Sequence, residues 1–169
     1  FTFDSSYTLT ATAKTGYRFV GWYESSACTG TALSTSASYS YKTPDVGEPG
    51  ADKTIYAKFV AENYVLAVQA VTDSGTGGTV SGGGTYYYGT QPTVTATANT
   101  GYTFGGWYTE SALTNQISTS ASYAYTMPDV GSNGSTKTLY AKFTINSYTL
   151  TLKAVTFVGT SYVANNTTG

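Results

Sequence analysis

Apolar and polar residues alternate in short runs along this chain, and clusters of Gly, Pro, Asn, Asp and Ser separate the runs. Such a pattern predicts β-strands with one face buried and the other wet. In Tyr7–Ala13, Leu9, Ala11 and Ala13 fall on one face and Thr8, Thr10 and Thr12 on the other. Ser38-Tyr39-Ser40-Tyr41 and Ser122-Tyr123-Ala124-Tyr125 alternate as cleanly. Pro44 and Pro128 end them, because proline cannot donate to a ladder. Ile55, Ala57 and Phe59 are expected inward with Tyr56 and Lys58 outward; Leu139, Ala141 and Phe143 stand likewise against Tyr140 and Lys142. A strand over 64–71 has Tyr64, Leu66, Val68 and Ala70 as its inner face. A Gly/Ser/Thr-rich turn leads from it into a second strand, Thr79–Tyr88, broken by Gly82-Gly83-Gly84, and the two are expected to pair as a hairpin. No stretch carries a helical period, so the expected fold class is all-β with no substantial helix.

One aromatic stretch organises the rest. Gly16-Tyr-Arg-Phe-Val-Gly-Trp-Tyr23 returns as Gly101-Tyr-Thr-Phe-Gly-Gly-Trp-Tyr108, and each copy holds one of the chain's two tryptophans. The offset is 85 residues (107 − 22) there, and 84 (138 − 54) between Thr54–Phe59 and Thr138–Phe143, so one residue is lost within a surface loop. A long internal period marks tandem modules. A regular pleat would put Phe19 and Trp22 on opposite faces; a β-bulge at Gly21 and Gly106 is expected to return the indole to the Phe face. The expected cores therefore contain Phe19, Trp22, Ile55 and Phe59 in one repeat, and Phe104, Trp107, Leu139 and Phe143 in the other.

The repeat divides the chain into 1–60, a first module without its opening hairpin, 64–144, a complete second module, and 147–169, the opening hairpin of a third. Val60–Asn63 is read as a short linker. Phe1–Phe3 aligns with Tyr86–Tyr88, and Ser147–Val155 with Asn63–Val71, so Tyr148, Leu150, Leu152 and Ala154 are the counterparts of an inner face. The start at Phe1, mid-pattern and without an initiating Met, points to a processed product or an excerpt. Two readings stay open: a window on a longer array, or a self-assembling subunit whose segment 147–169 is donated to the sheet of the next.

Composition narrows the chemistry. Charged residues make up 10% of the chain and the net charge is −1, which argues against a nucleic-acid binder needing a basic face. No apolar run is long enough to span a bilayer as a helix, roughly 20 residues, so no membrane insertion is expected. The absence of histidine removes Ser-His-Asp triads and the usual zinc sites. A single cysteine, Cys28, excludes an internal disulfide framework and reads as a small loop residue, with Leu113 in its place in the second repeat.

Asp45, Glu48 and Asp52 form the one acidic cluster, a solvated turn rather than a calcium loop, since Glu48 and Asp52 become Ser132 and Thr136. Lys58 and Lys142 occupy equivalent outward positions and read as edge lysines that discourage stray pairing, rather than as partners in a covalent cross-link. No catalytic residues, metal ligands or cofactors are expected, and the chain is read as non-enzymatic. Tyr39, Tyr41, Tyr123 and Tyr125 are the candidate contact surface, because flat rings with a polar tip suit glycans or another protein; the alternative is cross-strand pairing within the sheet.

The motifs Gly-Tyr-x-Phe-x-Gly-Trp-Tyr, Ser-x-Ser-Tyr-x-Tyr-x-x-Pro and Leu/Ile-Tyr-Ala-Lys-Phe resemble the bacterial surface repeat known as the internalin B-repeat or Listeria–Bacteroides repeat, in its divergent branch. The resemblance covers essentially the whole chain. It implies small all-β modules, β-grasp-like or small sandwiches, in a secreted or wall-attached bacterial protein. It also implies a spacer, stalk or adhesion array. The expected role is a structural repeat of an extracellular fibre or surface layer, with copies of itself or adjacent repeats as partners. The alternative is a multivalent adhesion module binding host protein or glycan.

Overall fold

The computed structural model describes residues 2–44, 52–159 and 161–165. The first repeat contributes β1 (Ser6–Thr10), β2 (Tyr17–Tyr23), β3 (Ser38–Lys42) and β4 (Tyr56–Ala61). The second contributes β5 (Asn63–Thr72), β6 (Gly78–Ser81), β7 (Gly84–Tyr87), β8 (Thr93–Ala98), β9 (Tyr102–Tyr108), β10 (Gln116–Ser118), β11 (Ser122–Ala124) and β12 (Thr136–Ile145). A hairpin of β13 (Ala154–Val158) and β14 (Ser161–Asn165) follows. The fold is all-β, in several small sheets, and no helix occurs among the described residues. Val60 and Ala61 extend β4 and Asn63 opens β5, so the expected four-residue linker shrinks to Glu62.

The second repeat has two sheets, ordered β10-β9-β12-β5-β7 and β11-β8-β6. Its core is Tyr64 and Leu66 of β5, Val94 and Ala96 of β8, Trp107 of β9, Leu139, Ala141 and Phe143 of β12, with Tyr125 and Met127. Strict alternation produces this: in β8 the valine and alanines point in while Thr93, Thr95 and Thr97 face water. The first repeat has the same two sheets reduced to β2-β4 and β1-β3. Among the described residues it has no counterpart of β5, β6 or β7, and that of β10 is reduced to the single bridge Trp22↔Ser34.

Residues 79–88 are not one interrupted strand pairing with 64–71. Instead β7 pairs antiparallel with β5 (Asn63↔Tyr87 to Leu66↔Gly84), while β6 pairs with β8 in the other sheet. The glycine run is where the chain crosses between sheets. A Cβ on Gly82, whose φ is +95°, would sit 2.2 Å from the Thr93 carbonyl oxygen, and one on Gly83 would sit 3.0 Å from that of Leu66. Ala70, read as inner, is exposed.

The bulge lies where the aromatic strand requires it. Phe19 pairs with Phe59 but Gly21 with Lys58, leaving Val20 as the extra residue; Phe104 pairs with Phe143 and Gly106 with Lys142, leaving Gly105. Phe and Trp thereby share a face, with ring centroids 5.4 Å apart for Phe19–Trp22 and 5.7 Å for Phe104–Trp107. The third ring of each cluster is Phe59 or Phe143, at 5.6 and 5.8 Å from its partner Phe.

Two expectations are corrected by burial. Tyr41 and Tyr125, assigned to a contact surface, are buried, and Tyr39 and Tyr123 are half-buried. Alternation sets each tyrosine pair on one face, 6.1 and 6.3 Å between centroids, and that face is the inner one. Phe59, assigned to the core, is 38% exposed, whereas its counterpart Phe143 is 0% exposed. Phe143 is covered by the opening segment: a Cβ on Gly77 or Gly78 would lie 2.5 Å from its side chain. Around Phe59 no strand among the described residues does that work. Ile55 is half-buried just ahead of β4, Trp22 and Trp107 are buried, Phe19 and Phe104 are half-buried, and Leu139 is fully buried.

Candidate functional site

The residues singled out for chemistry do not converge. Asp45 and Glu48 lie outside the described residues, and Asp52 is exposed. Among the described residues no three His, Cys, Asp or Glu side chains come together as a metal site. Lys58 turns inward along the surface: its Nζ donates to the Cys28 carbonyl at 3.0 Å and lies 5.6 Å from the Tyr23 ring centroid, tying down the loop after β2. Cys28 and its counterpart Leu113 share a left-handed backbone, φ 46° and 56°, in equivalent turns.

The corresponding loop of the second repeat is stapled by Glu110. Its carboxylate accepts from the Asn115 amide (2.5 Å), the Thr114 amide (2.8 Å) and hydroxyl (3.0 Å), and the Thr109 hydroxyl (2.6 Å). These donors, the Thr109 hydroxyl first, pull its pKa from 4.5 down to about 2. A depressed carboxylate contributes stability above its unfolded pKa and loses it as pH falls through the folded one. Glu110→Gln should therefore melt below the wild type near neutrality, with the gap closing between pH 4.5 and about 2. A melting series across that range checks it, and a constant gap would remove Glu110 from the loop's stability.

Two surfaces carry the interest of the molecule, and sequence reasoning missed the first. The first is the junction between repeats, built around Glu62. Its amide donates to the Gly16 carbonyl (2.8 Å), and its carbonyl accepts from the Tyr88 amide (3.0 Å). Gly16, at φ +74°, is buried beneath Tyr88: a Cβ there would fall 2.1 Å from the ring. The Tyr64 hydroxyl lies 2.8 Å from Glu62 Oε2 and 2.9 Å from Asp129 Oδ1. Asp129 also accepts from the Gly131 amide at 2.8 Å, and the Gly16 amide adds to the pull on its carboxyl. These bonds, Gly131 first, hold its carboxyl below the usual carboxylate range, while burial and the two carboxylates push the Tyr64 phenol up. Gly16 and the tyrosines at 86–88 are visible in the sequence, but nothing there says that they meet.

The second is an open edge. In the second repeat β12 pairs on one side with β9 and on the other, in parallel, with β5, from Thr136↔Val65 to Phe143↔Thr72. In the first repeat, among the described residues, β4 pairs with β2 alone. Residues 147–153, the sequence counterparts of the first part of β5 (63–69), lie outside any strand, and Tyr148, Leu150 and Leu152 are 83%, 83% and 73% exposed. Their counterparts Tyr64 and Leu66 are 0% and 1% exposed. Ala154, at the start of β13, is exposed as well.

Residues 3–63 and 67–147 each match the divergent InlB B-repeat domain. The chain belongs to that family. No curated protein and no solved structure gives a match. Each of the two B-repeat matches takes in one aromatic strand and its bulge. Nothing in the B-repeat match names a ligand, and among the described residues no helix is long and apolar enough to cross a membrane.

Proposed function

We propose that this B-repeat chain is a non-enzymatic structural segment of a bacterial extracellular fibre, stalk or surface layer. It comprises an incomplete module at 1–60, a complete one at 64–144 and, at 147–169, the opening segment of another. Growth is head-to-tail: segment 147–169 of one chain completes the first module of the next. The observation that carries this reading is the mismatch in burial between equivalent residues. Phe59 and the β4 edge stand open where Phe143 and β12 are covered, and Tyr148, Leu150 and Leu152 are in water where Tyr64 and Leu66 are buried. Burying one large apolar side chain stabilises by about 1.5–3 kcal/mol, so joining these surfaces has a substantial driving force. The new ladder would be a strand added to a sheet edge. Burial of Tyr41 and Tyr125 weighs against adhesion through those tyrosines.

The register makes the proposal testable. Shifting the Leu139↔Val68 pair by the repeat offset sets Ile55 (139 − 84) opposite Leu152 (68 + 84). In a Cys28→Leu background, the double variant Ile55→Cys/Leu152→Cys should give a disulfide ladder of oligomers on a non-reducing gel. Each single variant should give none beyond dimer. A closed monomer, cross-linked within one chain, or no cross-link at all, would overturn the proposal.

A further inference from the structure

The internal junction is a template for a second one. Its two faces recur separately, one at Gly101 and Asn146 and the other at Phe3. Asn146 is the counterpart of Glu62 (62 + 84), and its amide already donates to the Gly101 carbonyl at 2.8 Å, as that of Glu62 does to Gly16. Gly101 has φ +84°, close to the +74° of Gly16, yet a Cβ placed on it meets nothing within 4 Å. The seat that Tyr88 fills over Gly16 is therefore formed and empty over Gly101. The matching ring is Phe3, the counterpart of Tyr88 (88 − 85), and it is 70% exposed.

We propose that the turn Asn99–Gly101, together with Asn146, is a docking seat for Phe3 of a neighbouring copy of this chain. The Phe3 ring lies over the Gly101 Cα, and the Phe3 amide donates to the Asn146 carbonyl, as the Tyr88 amide does to Glu62. A ring can lie flat on a backbone only where no Cβ intervenes, so glycine is required by the contact as well as by the turn. This seat rests on the head-to-tail reading, but it uses different residues from the strand ladder. The ladder joins β4 to 147–155; the seat joins Phe3 to the turn before β9.

Sedimentation velocity over a concentration series separates the two. The wild-type chain should form concentration-dependent oligomers, and Leu150→Asp/Leu152→Asp should abolish them by removing the ladder. Gly101→Asn keeps a residue that tolerates positive φ but fills the seat. It should weaken association by about tenfold or more, as should Phe3→Ala, because a central aromatic anchor carries much of an interface. Phe3→Tyr should associate like the wild type, since Tyr88 occupies the internal seat. Gly30→Asn, at another open glycine with φ +80°, is the control for the substitution itself and should also behave as wild type. Oligomers that survive both Gly101→Asn and Phe3→Ala at undiminished affinity would overturn the seat and leave the strand ladder standing. A wild-type chain that stays monomeric at every concentration would overturn both. If Gly101→Asn fails to fold, Phe3→Ala decides, since it alters an exposed side chain.

Discussion

Trp107→Ala is expected to destabilise the second repeat by roughly 3–5 kcal/mol, the range for removing a large aromatic from a packed core. The indole is fully buried, opposite Ala141, with Phe104 edge-on at 5.7 Å and Phe143 completing the cluster. The opening strands cover that cluster, so the cavity has little freedom to collapse. Its Nε1 is buried without a partner, a cost the alanine variant is spared, which holds the loss toward the lower end. Trp22→Ala should cost less. Trp22 Nε1 donates to the Ser36 carbonyl at 3.0 Å, but the neighbouring Phe59 is already in contact with water, so less burial is forfeited. Each variant leaves a single tryptophan, and urea unfolding followed by its fluorescence reads the repeat left intact, while circular dichroism reads both. Equal losses at the two positions would mean that the first repeat is as well covered as the second.

Gly82→Ala should be nearly as damaging, although it adds one methyl group. The residue sits where the chain crosses from the β6-β8 sheet to the β5-β7 ladder, at φ +95°, with the new Cβ 2.2 Å from the Thr93 carbonyl oxygen and 2.8 Å from Val94 Cα. Left-handed backbone costs a residue with a side chain roughly 1–2 kcal/mol, and overpacking against atoms that cannot move adds roughly 1–3 kcal/mol. Thr93 and Val94 are pinned through β11 in the register Tyr123↔Val94 and Ala124↔Thr93, so the collision has no soft side chain to relieve it. A melting midpoint lowered by more than about 10 °C is expected for a domain of this size. Gly131→Ala is the internal comparison: its φ is +97° but no atom lies within 4 Å of the added methyl, so it isolates the backbone term. Matching losses at the two glycines would show that the crossing is looser than its contacts imply.

Much of the architecture could be read from spacing alone. Period-two alternation marks the strands, and the Phe-x-Gly-Trp spacing demands an extra residue if both rings are to share a face; the register shifts supply it. What stayed hidden depends on which segments meet. Gly82-Gly83-Gly84 looks the same in a sequence whether it interrupts a strand or turns a corner. Whether a Tyr-x-Tyr face is wet depends on the second sheet lying across it, and the pattern of one strand does not reveal that. The exposure of Phe59 follows from absent neighbours rather than from its own strand, whose residues nearly repeat those around Phe143. The junction escaped for the same reason: Gly16, Glu62, Tyr88 and Asp129 are far apart in sequence and ordinary in type.

The parallel pairing of β5 with β12 has a mechanical corollary. The strand by which the chain enters the second repeat and the strand by which it leaves lie side by side and run the same way. Tension applied at Asn63 and Ile145 therefore drags them past each other lengthwise. The hydrogen bonds from Thr136↔Val65 to Phe143↔Thr72 are loaded together, in shear, instead of parting one at a time as in an unzipping hairpin. Such a repeat is arranged to bear a pull along its own axis.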